Sequence, residues 1–283
     1  MERGSVGIWW SGSWEVPGQP DINVAAELET LGYEAIWSSG GIRPGLSSRF
    51  GRLLDATTYV TVASGIVSIW RSTPSDIAQA VADLEARHPG RFLLGLGASH
   101  AALVEEYSRP YSHMVEYLDA LDASEPTVPK ERRVLAALGP RTLELSAERA
   151  AGAHPYFVPV EHTAFARDVL GQGPLLAPEL TVVLESDPTR ARQLARSFTT
   201  GYLTLPNYAD NLRRLGYTDD DVADGGSDRL VDAVMAWGDA QTIARRVREH
   251  HEAGADQVCL QLVTGDEGFP LEGYQELANV LLD

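Results

Sequence analysis

The sequence predicts an α/β fold in which eight parallel strands alternate with helices and close into a barrel. Short apolar runs rich in β-branched residues recur along the chain, and segments with helical spacing of apolar residues separate them. Residues 64–100 form a complete strand–helix–strand unit, and parallel strands need a crossover of this length. At 283 residues the chain has the size of a TIM (β/α)8 barrel. A doubly wound open sheet is the alternative architecture.

The strand–helix–strand unit carries the clearest local signals. Its first strand, residues 65–70, is short and apolar. Thr73 and Asp76 have the spacing of a capping box, and Pro74 occupies the first helical position, where a missing N–H costs nothing. The second strand, residues 92–96, leads into small residues at its carboxyl end. In α/β proteins that end of the strands holds the chemistry.

The other elements follow from the same two patterns. Further apolar runs predict strands at residues 6–10, 33–38, 133–138, 154–158, 179–185 and 257–263. Helical spacing, with N-cap and Pro signals, predicts helices at residues 22–31, 53–63, 114–121, 139–151, 161–170, 187–198, 239–253 and 271–282. Residues 199–236 fit neither repeat and predict a helical insertion before the last helix–strand unit. We expect residues 1–283 to form one domain.

Charge and cysteine content narrow the class of protein. A net charge of −17 disfavours nucleic acid or an anionic membrane as partner. The single cysteine, Cys259, lies in an apolar run, so we expect a buried thiol and no disulfide. No apolar stretch has the length of a membrane span, and the first residues lead into a strand without the pattern of a signal peptide. We therefore expect a cytoplasmic protein that acts on a small molecule.

Two segments at predicted strand ends are candidates for cofactor binding. After the fourth strand come three small residues that let a ligand approach the backbone: Gly97, Ala98 and Ser99. Between the fifth strand and the next helix, free N–H groups and a guanidinium favour an anion at the turn formed by Gly139, Pro140, Arg141 and Thr142. The alternatives are small residues needed only for packing, and an ordinary helix start with an exposed arginine.

Four tryptophans follow or end the first three predicted strands. A tryptophan at these positions is too bulky for the inner layers of a barrel, so we expect an apolar wall of the substrate pocket. Core packing is the alternative for each of them. The four residues are Trp9, Trp10, Trp37 and Trp70.

His100 is the best ionisable candidate for catalysis. It follows the small residues after the fourth strand, and an imidazole can donate or accept a proton near neutral pH. A hydrogen bond to the cofactor or a plain loop histidine are the alternatives. We expect a structural role for His154 and surface positions for His250 and His251. No His/Cys/Asp cluster has metal-ligand spacing and no G-x-S-x-G elbow occurs, so we predict no metal site and no hydrolase.

Three longer segments, in this order, resemble the luciferase-like monooxygenase superfamily, and within it the actinobacterial F420-dependent oxidoreductases. They are GRFLLGLGASH, ALGPRTLELSAERAAGAHPY and WGDAQTIARRVREHHEAGADQVCLQLV. The similarity covers essentially the whole chain. It implies a TIM barrel that binds a flavin, or the deazaflavin coenzyme F420, where the strands end at the mouth.

The resemblance also implies further site features. It places cofactor contacts at Gly139 and Pro140, at Ser38, where the second predicted strand ends, and at Ser68, within the third. It implies a non-prolyl cis peptide near residues 67–69, and a homodimer. Deazaflavin-dependent sugar dehydrogenases of this family carry an Asp-His pair after strand two and a glutamate after strand four. Here those places read SSG and His100, which disfavours a phosphosugar substrate.

We therefore predict an F420-dependent oxidoreductase that transfers a hydride between the deazaflavin and a small, largely apolar organic substrate. His100 or water would exchange the proton. An FMN-dependent luciferase-like monooxygenase is the alternative function. A barrel that binds a ligand without turning it over is a third interpretation.

Overall fold

The computed structural model describes residues 4–19, 22–40 and 46–282. Its strands are β1 (Ser5–Trp10), β2 (Ala35–Ser38), β3 (Thr61–Ser64), β4 (Val67–Ser68), β5 (Phe92–Gly97), β6 (Arg133–Leu135), β7 (Gly152–Ala153), β8 (Leu175–Leu176), β9 (Glu179–Leu184), β10 (Met235–Gly238) and β11 (Gln257–Leu262). Its helices are α1 (Val24–Thr30), α2 (Leu46–Asp55), α3 (Pro74–Arg87), α4 (Pro110–Asp122), α5 (Pro140–Arg149), α6 (Val160–Leu170), α7 (Pro188–Leu203), α8 (Pro206–Arg214), α9 (Asp219–Val222), α10 (Asp228–Val234), α11 (Ala240–Glu252) and α12 (Leu271–Leu281).

The strands form one curled parallel sheet. Neighbours follow the order β10-β9-β11-β1-β2-β3-β5-β6-β7-β8, and β4 pairs with β5. β8 pairs with β7, whereas β9 pairs with β11, and only Ala177 and Pro178 separate β8 from β9. Two backbone bonds continue the contact with the β7 segment, from Ala177 N to Ala153 O and from Glu179 N to Pro155 O. The sheet therefore curls back on itself, and the prediction of a TIM-type barrel is confirmed.

The third strand lies earlier than predicted. The expected helix over residues 53–63 is wrong, because α2 ends at Asp55 and β3 begins at Thr61. The expected strand over residues 65–70 shrinks to the two-residue β4.

A carboxylate explains why α2 cannot continue. Glu29 of α1 accepts hydrogen bonds from the backbone N–H groups of Thr58, Tyr59 and Val60 at 2.7–2.9 Å. A helix through these residues would need the same N–H groups for its own carbonyls. The contact joins residues about thirty positions apart, so local periodicity cannot reveal it.

Two other regions also differ from expectation. The sixth strand is β7, which ends at Ala153, immediately before the predicted residues 154–158. The predicted insertion, residues 199–236, contains α8, α9 and α10 as expected, but its first residues belong to α7 and its last two to β10. Tyr208, Leu212 and Val231 of these helices pack in an apolar cluster that they share with Val183 of β9 and Met235 of β10.

The apolar core has two layers around the sheet. The outer layer joins strands to helices. Helix α3 of this layer starts as predicted: Thr73 Oγ1 accepts a hydrogen bond from Asp76 N, and Pro74 occupies the first turn. The inner layer includes Trp9, Trp37 and the free, fully buried Cys259. No helix among the described residues is long and apolar enough to cross a membrane.

Candidate active site

A cavity of about 830 Å³ opens at the carboxyl ends of the strands. Its walls come from the segments after β3, β5 and β6, from the start of α4, and from α7 and α8. Barrel and insertion therefore enclose the same space. Ligands of α/β barrels bind at this end of the strands.

The structure brings most of the predicted site residues to this cavity. Those that line it are Trp9, Ser68, Gly97, Ala98, Ser99, His100, Gly139, Pro140, Arg141 and Thr142. The small residues after β5 and the turn before α5 thus belong to one wall. Their assignment to a cofactor stays a prediction.

Three of the four tryptophans, Trp10, Trp37 and Trp70, lie outside the cavity lining. Trp37 is 1% exposed, donates from Nε1 to Gln257 Oε1 at 2.8 Å, and stacks on His154 inside the barrel. Trp10 lies outside the cavity lining and packs against Phe269, with Nε1 donating to Ser13 O at 2.7 Å. The expectation that Trp10 and Trp37 line the substrate pocket is therefore wrong. Small interior neighbours leave room for bulky rings that the sequence argument excluded: Ala35, Ala63 and Ala177.

Trp70 and Ser38 also lie outside the cavity lining. Trp70 Nε1 donates to the carbonyl of Ala98 at 2.6 Å, and its ring stacks on His113 at 4.1 Å. Trp70 therefore positions the segment after β5 through this hydrogen bond, although its ring is not part of the cavity lining. Ser38 is fully buried, and its carbonyl accepts from Gly65 N at 2.8 Å.

The backbone after β3 and β5 is close-packed at the cavity wall. The non-prolyl cis peptide joins Gly65 to Ile66, just before the predicted residues 67–69. A Cβ on Gly97 would lie 2.6 Å from Ile66 Cδ1. Ser99 adopts a left-handed φ of 56°. Glycine at position 97 is thus needed for the close packing of β5 against the segment after β3.

The N-terminus of α5 is suited to an anion. Its N-cap, Gly139, has no side chain to accept from the first-turn N–H groups. The guanidinium of Arg214, on α8, lies beside Gly139. A Cβ placed on this glycine would be 3.1 Å from Arg214 Nη1. Arg141 lies over the ring of Tyr111 at 4.0 Å. Within the described part of the chain, neither arginine forms an ion pair.

His100 is held by the insertion. Its Nδ1 donates to Asn207 Oδ1 at 2.7 Å, so the neutral ring keeps its lone pair on Nε2. Its ring centroid lies 5.2 Å from that of Tyr208. Burial lowers the pKa of His100 below its ordinary 6.5, against the opposing effect of the Asn207 hydrogen bond. The imidazole is therefore neutral near pH 7. No local pattern in the sequence predicts the contact with Asn207.

Two nitrogens at the base of the cavity have no hydrogen-bond partner among the described residues. They are Trp9 Nε1 and His154 Nε2. The other ring nitrogen of His154, Nδ1, donates to Ala177 O at 2.6 Å. Burial lowers the pKa of His154 to about 4. The sequence assigned this histidine a structural role only and missed its place at the cavity.

A polar network adjoins this base, and the sequence did not predict it. Tyr156 donates to Gln261 Oε1 at 2.7 Å, and its hydroxyl lies 2.9 Å from that of Tyr202 in α7. Glu179 accepts from Thr181 Oγ1 and from Phe157 N, and burial raises its pKa to about 7. Tyr156 and Tyr202 line the cavity and give it hydroxyl groups beside apolar walls.

The remaining histidine predictions are partly wrong. His250 is fully buried and its Nδ1 lies 2.8 Å from Thr163 Oγ1 of α6, because α11 packs this face on α6. His251 is partly exposed. Across residues 4–19, 22–40 and 46–282, no group of three or more His, Cys, Asp or Glu side chains could hold a metal ion.

Comparison with known proteins gives one family. The family model described as luciferase-like monooxygenase matches residues 15–257. Among curated proteins nothing matches.

Solved structures of this fold use two kinds of cofactor. An F420-dependent secondary alcohol dehydrogenase in complex with an F420–acetone adduct has a TM-score of 0.74 and 15% identity, covering 99% of this chain and 98% of that one. The F420-dependent tetrahydromethanopterin reductase from Methanopyrus kandleri has a TM-score of 0.67 and 16% identity, with coverage of 99% and 98%. The oxygenating constituent of 3,6-diketocamphane monooxygenase from Pseudomonas putida, in complex with FMN, has a TM-score of 0.68 and 15% identity, with coverage of 98% and 97%. At these identities the likeness shows the fold alone.

Proposed function

Since the chain belongs to the luciferase-like monooxygenase family, we propose that it is an F420-dependent oxidoreductase acting on a small, largely apolar organic substrate. Bound deazaflavin would supply a carbon centre that accepts or returns a hydride. The proposal extends the coarser family assignment, which covers both F420-dependent and FMN-dependent enzymes.

The observation that carries the proposal is the anion site at one wall of the cavity. The uncapped start of α5, Arg141 and Arg214 meet there, and Arg71 lines the same cavity. Arg71 also donates to the carbonyl of Leu103 at 2.8 Å, and Arg141 lies over the Tyr111 ring. In a chain with a net charge of −17, three guanidinium groups around one cavity favour a strongly anionic ligand. The tail of F420 carries a phosphate and carboxylates, so it offers a partner for each of these groups.

The rest of the cavity lining differs in character. Met114 and Leu205 contribute apolar surface, and Tyr156 and Tyr202, whose hydroxyls lie 2.9 Å apart, line the cavity as well. His100 Nε2 is the group available to exchange a proton with a substrate oxygen. In substrate oxidation it would accept the hydroxyl proton, and in reduction it would return it. This arrangement supports a neutral alcohol or carbonyl compound as substrate.

An FMN-dependent monooxygenase is the second candidate. The same α5 turn suits the single phosphate of FMN, and a structural neighbour is in complex with FMN. Reduced flavin activates oxygen, whereas a deazaflavin, with carbon at position 5, does not. Cofactor identity and oxygen dependence therefore separate the two.

The direct test is a titration of the purified protein with F420 and with FMN, followed by tryptophan fluorescence. We expect saturable quenching by F420 at lower concentration than by FMN, since Trp9 lines the cavity. Tighter binding of FMN, with oxygen-dependent turnover, would establish the second candidate instead. Absence of binding to either cofactor would contradict both.

Arg141→Ala is expected to weaken F420 binding by roughly 1–3 kcal/mol, because a charge-assisted hydrogen bond to the cofactor phosphate is lost. The control is Arg190→Ala, which makes the same change in net charge at an exposed side chain paired with Glu185. The dissociation constant at low salt is the measurement. An unchanged value for Arg141→Ala would show that this guanidinium does not contact the cofactor.

A small-molecule substrate and a homodimer remain predictions. Light scattering of the purified protein gives its mass directly, and a value near the 30.7 kDa of one chain would contradict the homodimer.

A further inference from the structure

We propose that Trp9 Nε1 and His154 Nε2 form a donor–acceptor pair that binds the imide edge of the cofactor ring, where an N–H group adjoins a carbonyl. This inference rests on the proposed function, because flavins and deazaflavins share that edge. It assigns the base of the cavity to the ring and leaves the α5 turn to the anionic tail.

Trp9 supplies the donor. Its side chain is 5% exposed and lines the cavity, and its Nε1 has no acceptor in the described part of the protein. An indole N–H can only donate, and a buried donor without an acceptor is costly. The neighbouring Trp10 and Trp37 both have acceptors for their Nε1 groups. Trp9 is therefore the tryptophan that a carbonyl in the cavity would satisfy.

His154 supplies the acceptor. The Ala177 carbonyl can only accept, so the proton of neutral His154 lies on Nδ1 and the lone pair on Nε2. The ring is 1% exposed and stacked on Trp37 at 4.1 Å, which fixes its orientation. Burial lowers its pKa to about 4, so it stays neutral at pH 7. A ring held in this state suits hydrogen-bond acceptance from a neutral N–H better than proton transfer.

Gly65 lies beside both nitrogens. A Cβ at this position would lie 2.3 Å from Trp9 Nε1 and 3.4 Å from His154 Nε2, so any other residue there would collide with the indole. The two nitrogens are therefore neighbours at one point of the cavity lining. A planar edge with an acceptor next to a donor can satisfy both together. Neither Trp9 nor neutral His154 carries a charge, so the pair suits a neutral ligand group better than a charged one.

The test uses 5-deazariboflavin, which has the ring but no phosphate or tail. Trp9→Phe and His154→Asn should each weaken its binding roughly 5- to 30-fold, the usual effect of losing one buried hydrogen bond. Asn keeps a donor for the Ala177 carbonyl, and its shorter side chain removes the acceptor at the position of Nε2. Trp10→Phe, on the same strand but outside the cavity lining, is the matched control and should bind as the wild type does.

N3-methyl-5-deazariboflavin provides the second arm, because methylation removes the N–H donor. The wild type should bind it roughly 5- to 30-fold more weakly than the parent ring, and His154→Asn should distinguish the two much less. Equal binding of both probes by the wild type would overturn the inference, even if no variant folds. Equal discrimination by wild type and His154→Asn would overturn it as well.

The outcomes also separate this inference from the proposed function. Tight F420 binding by wild type and by both variants would reject the donor–acceptor pair and leave the proposed function standing. A wild type that binds no F420, FMN or ring probe would reject both. Variants that raise KM for substrate without changing cofactor affinity would place the pair at the substrate and overturn its assignment to the ring.

Discussion

Replacing His100 with alanine is expected to lower turnover of the cofactor-saturated enzyme by about 10²- to 10⁴-fold, with little change in cofactor affinity. Proton transfer by a positioned side chain contributes a factor of this size. The ring is positioned, because Asn207 binds Nδ1 and leaves Nε2 without that partner, and His100 lines the cavity. The measurement is kcat together with the F420 dissociation constant on the same variant.

The pH dependence of the turnover rate provides an independent test of this role for His100. Burial holds the pKa of His100 below 6.5, so the neutral base persists to lower pH than a solvent-exposed histidine would. In the oxidation direction, the rate should be full above that pKa and fall as pH drops through it. His100→Ala should remove this acid limb, whereas His88→Ala, at a histidine paired with Asp55 away from the cavity, should retain it.

Two results would contradict a catalytic role for His100. Near-normal turnover of His100→Ala at saturating cofactor would mean that another group, such as bound water, exchanges the proton. Weaker cofactor binding with unchanged kcat would make the histidine a cofactor contact, which is the alternative that the sequence left open.

Gly95→Ala is expected to destabilise the fold by about 3 kcal/mol, since the new methyl group would overlap backbone. A Cβ at this position of β5 would lie 1.8 Å from the carbonyl oxygen of Ser64. The two residues are also joined by side-chain bonds, because Ser64 Oγ accepts from Gly95 N at 2.7 Å and donates to Gly95 O at 3.0 Å. Neither backbone can move away without losing both.

Urea unfolding of Gly95→Ala measures the loss, with Gly201→Ala as control. Gly201 lies inside α7 with open space around its Cβ position, so alanine there should stabilise the helix by about 0.5–1 kcal/mol. The two substitutions are chemically identical and differ only in surroundings. Equal stability for both variants would contradict the close approach of β3 and β5.

The parts of the fold that the sequence predicted are those that depend on local signals. The N-cap at Thr73, the proline in the first turn of α5 and the strand β9 all lie where composition and spacing placed them. The turn after β6, predicted as an anion site, is the start of α5 and lines the cavity. Each of these features is encoded within a few consecutive residues, so no knowledge of distant contacts is needed.

The errors arise where distant contacts decide. Glu29 ends α2 by binding N–H groups from another part of the chain. Trp37 is buried in the barrel because small residues on other strands make room for it. The pairing of His100 with Asn207 joins residues more than one hundred positions apart. Periodicity within a window of the sequence contains none of this information.

The insertion shares one apolar cluster with the barrel. Its helices α8 and α10 pack there with Val183 of β9 and Met235 of β10, and α8 also presents Asn207, Tyr208 and Arg214 to the cavity. Ligand contacts and strand contacts therefore lie on the same short helices. An exchange of residues 199–236 between relatives would have to keep the residues that face β9 and β10 if it is to change substrate range on an inherited barrel.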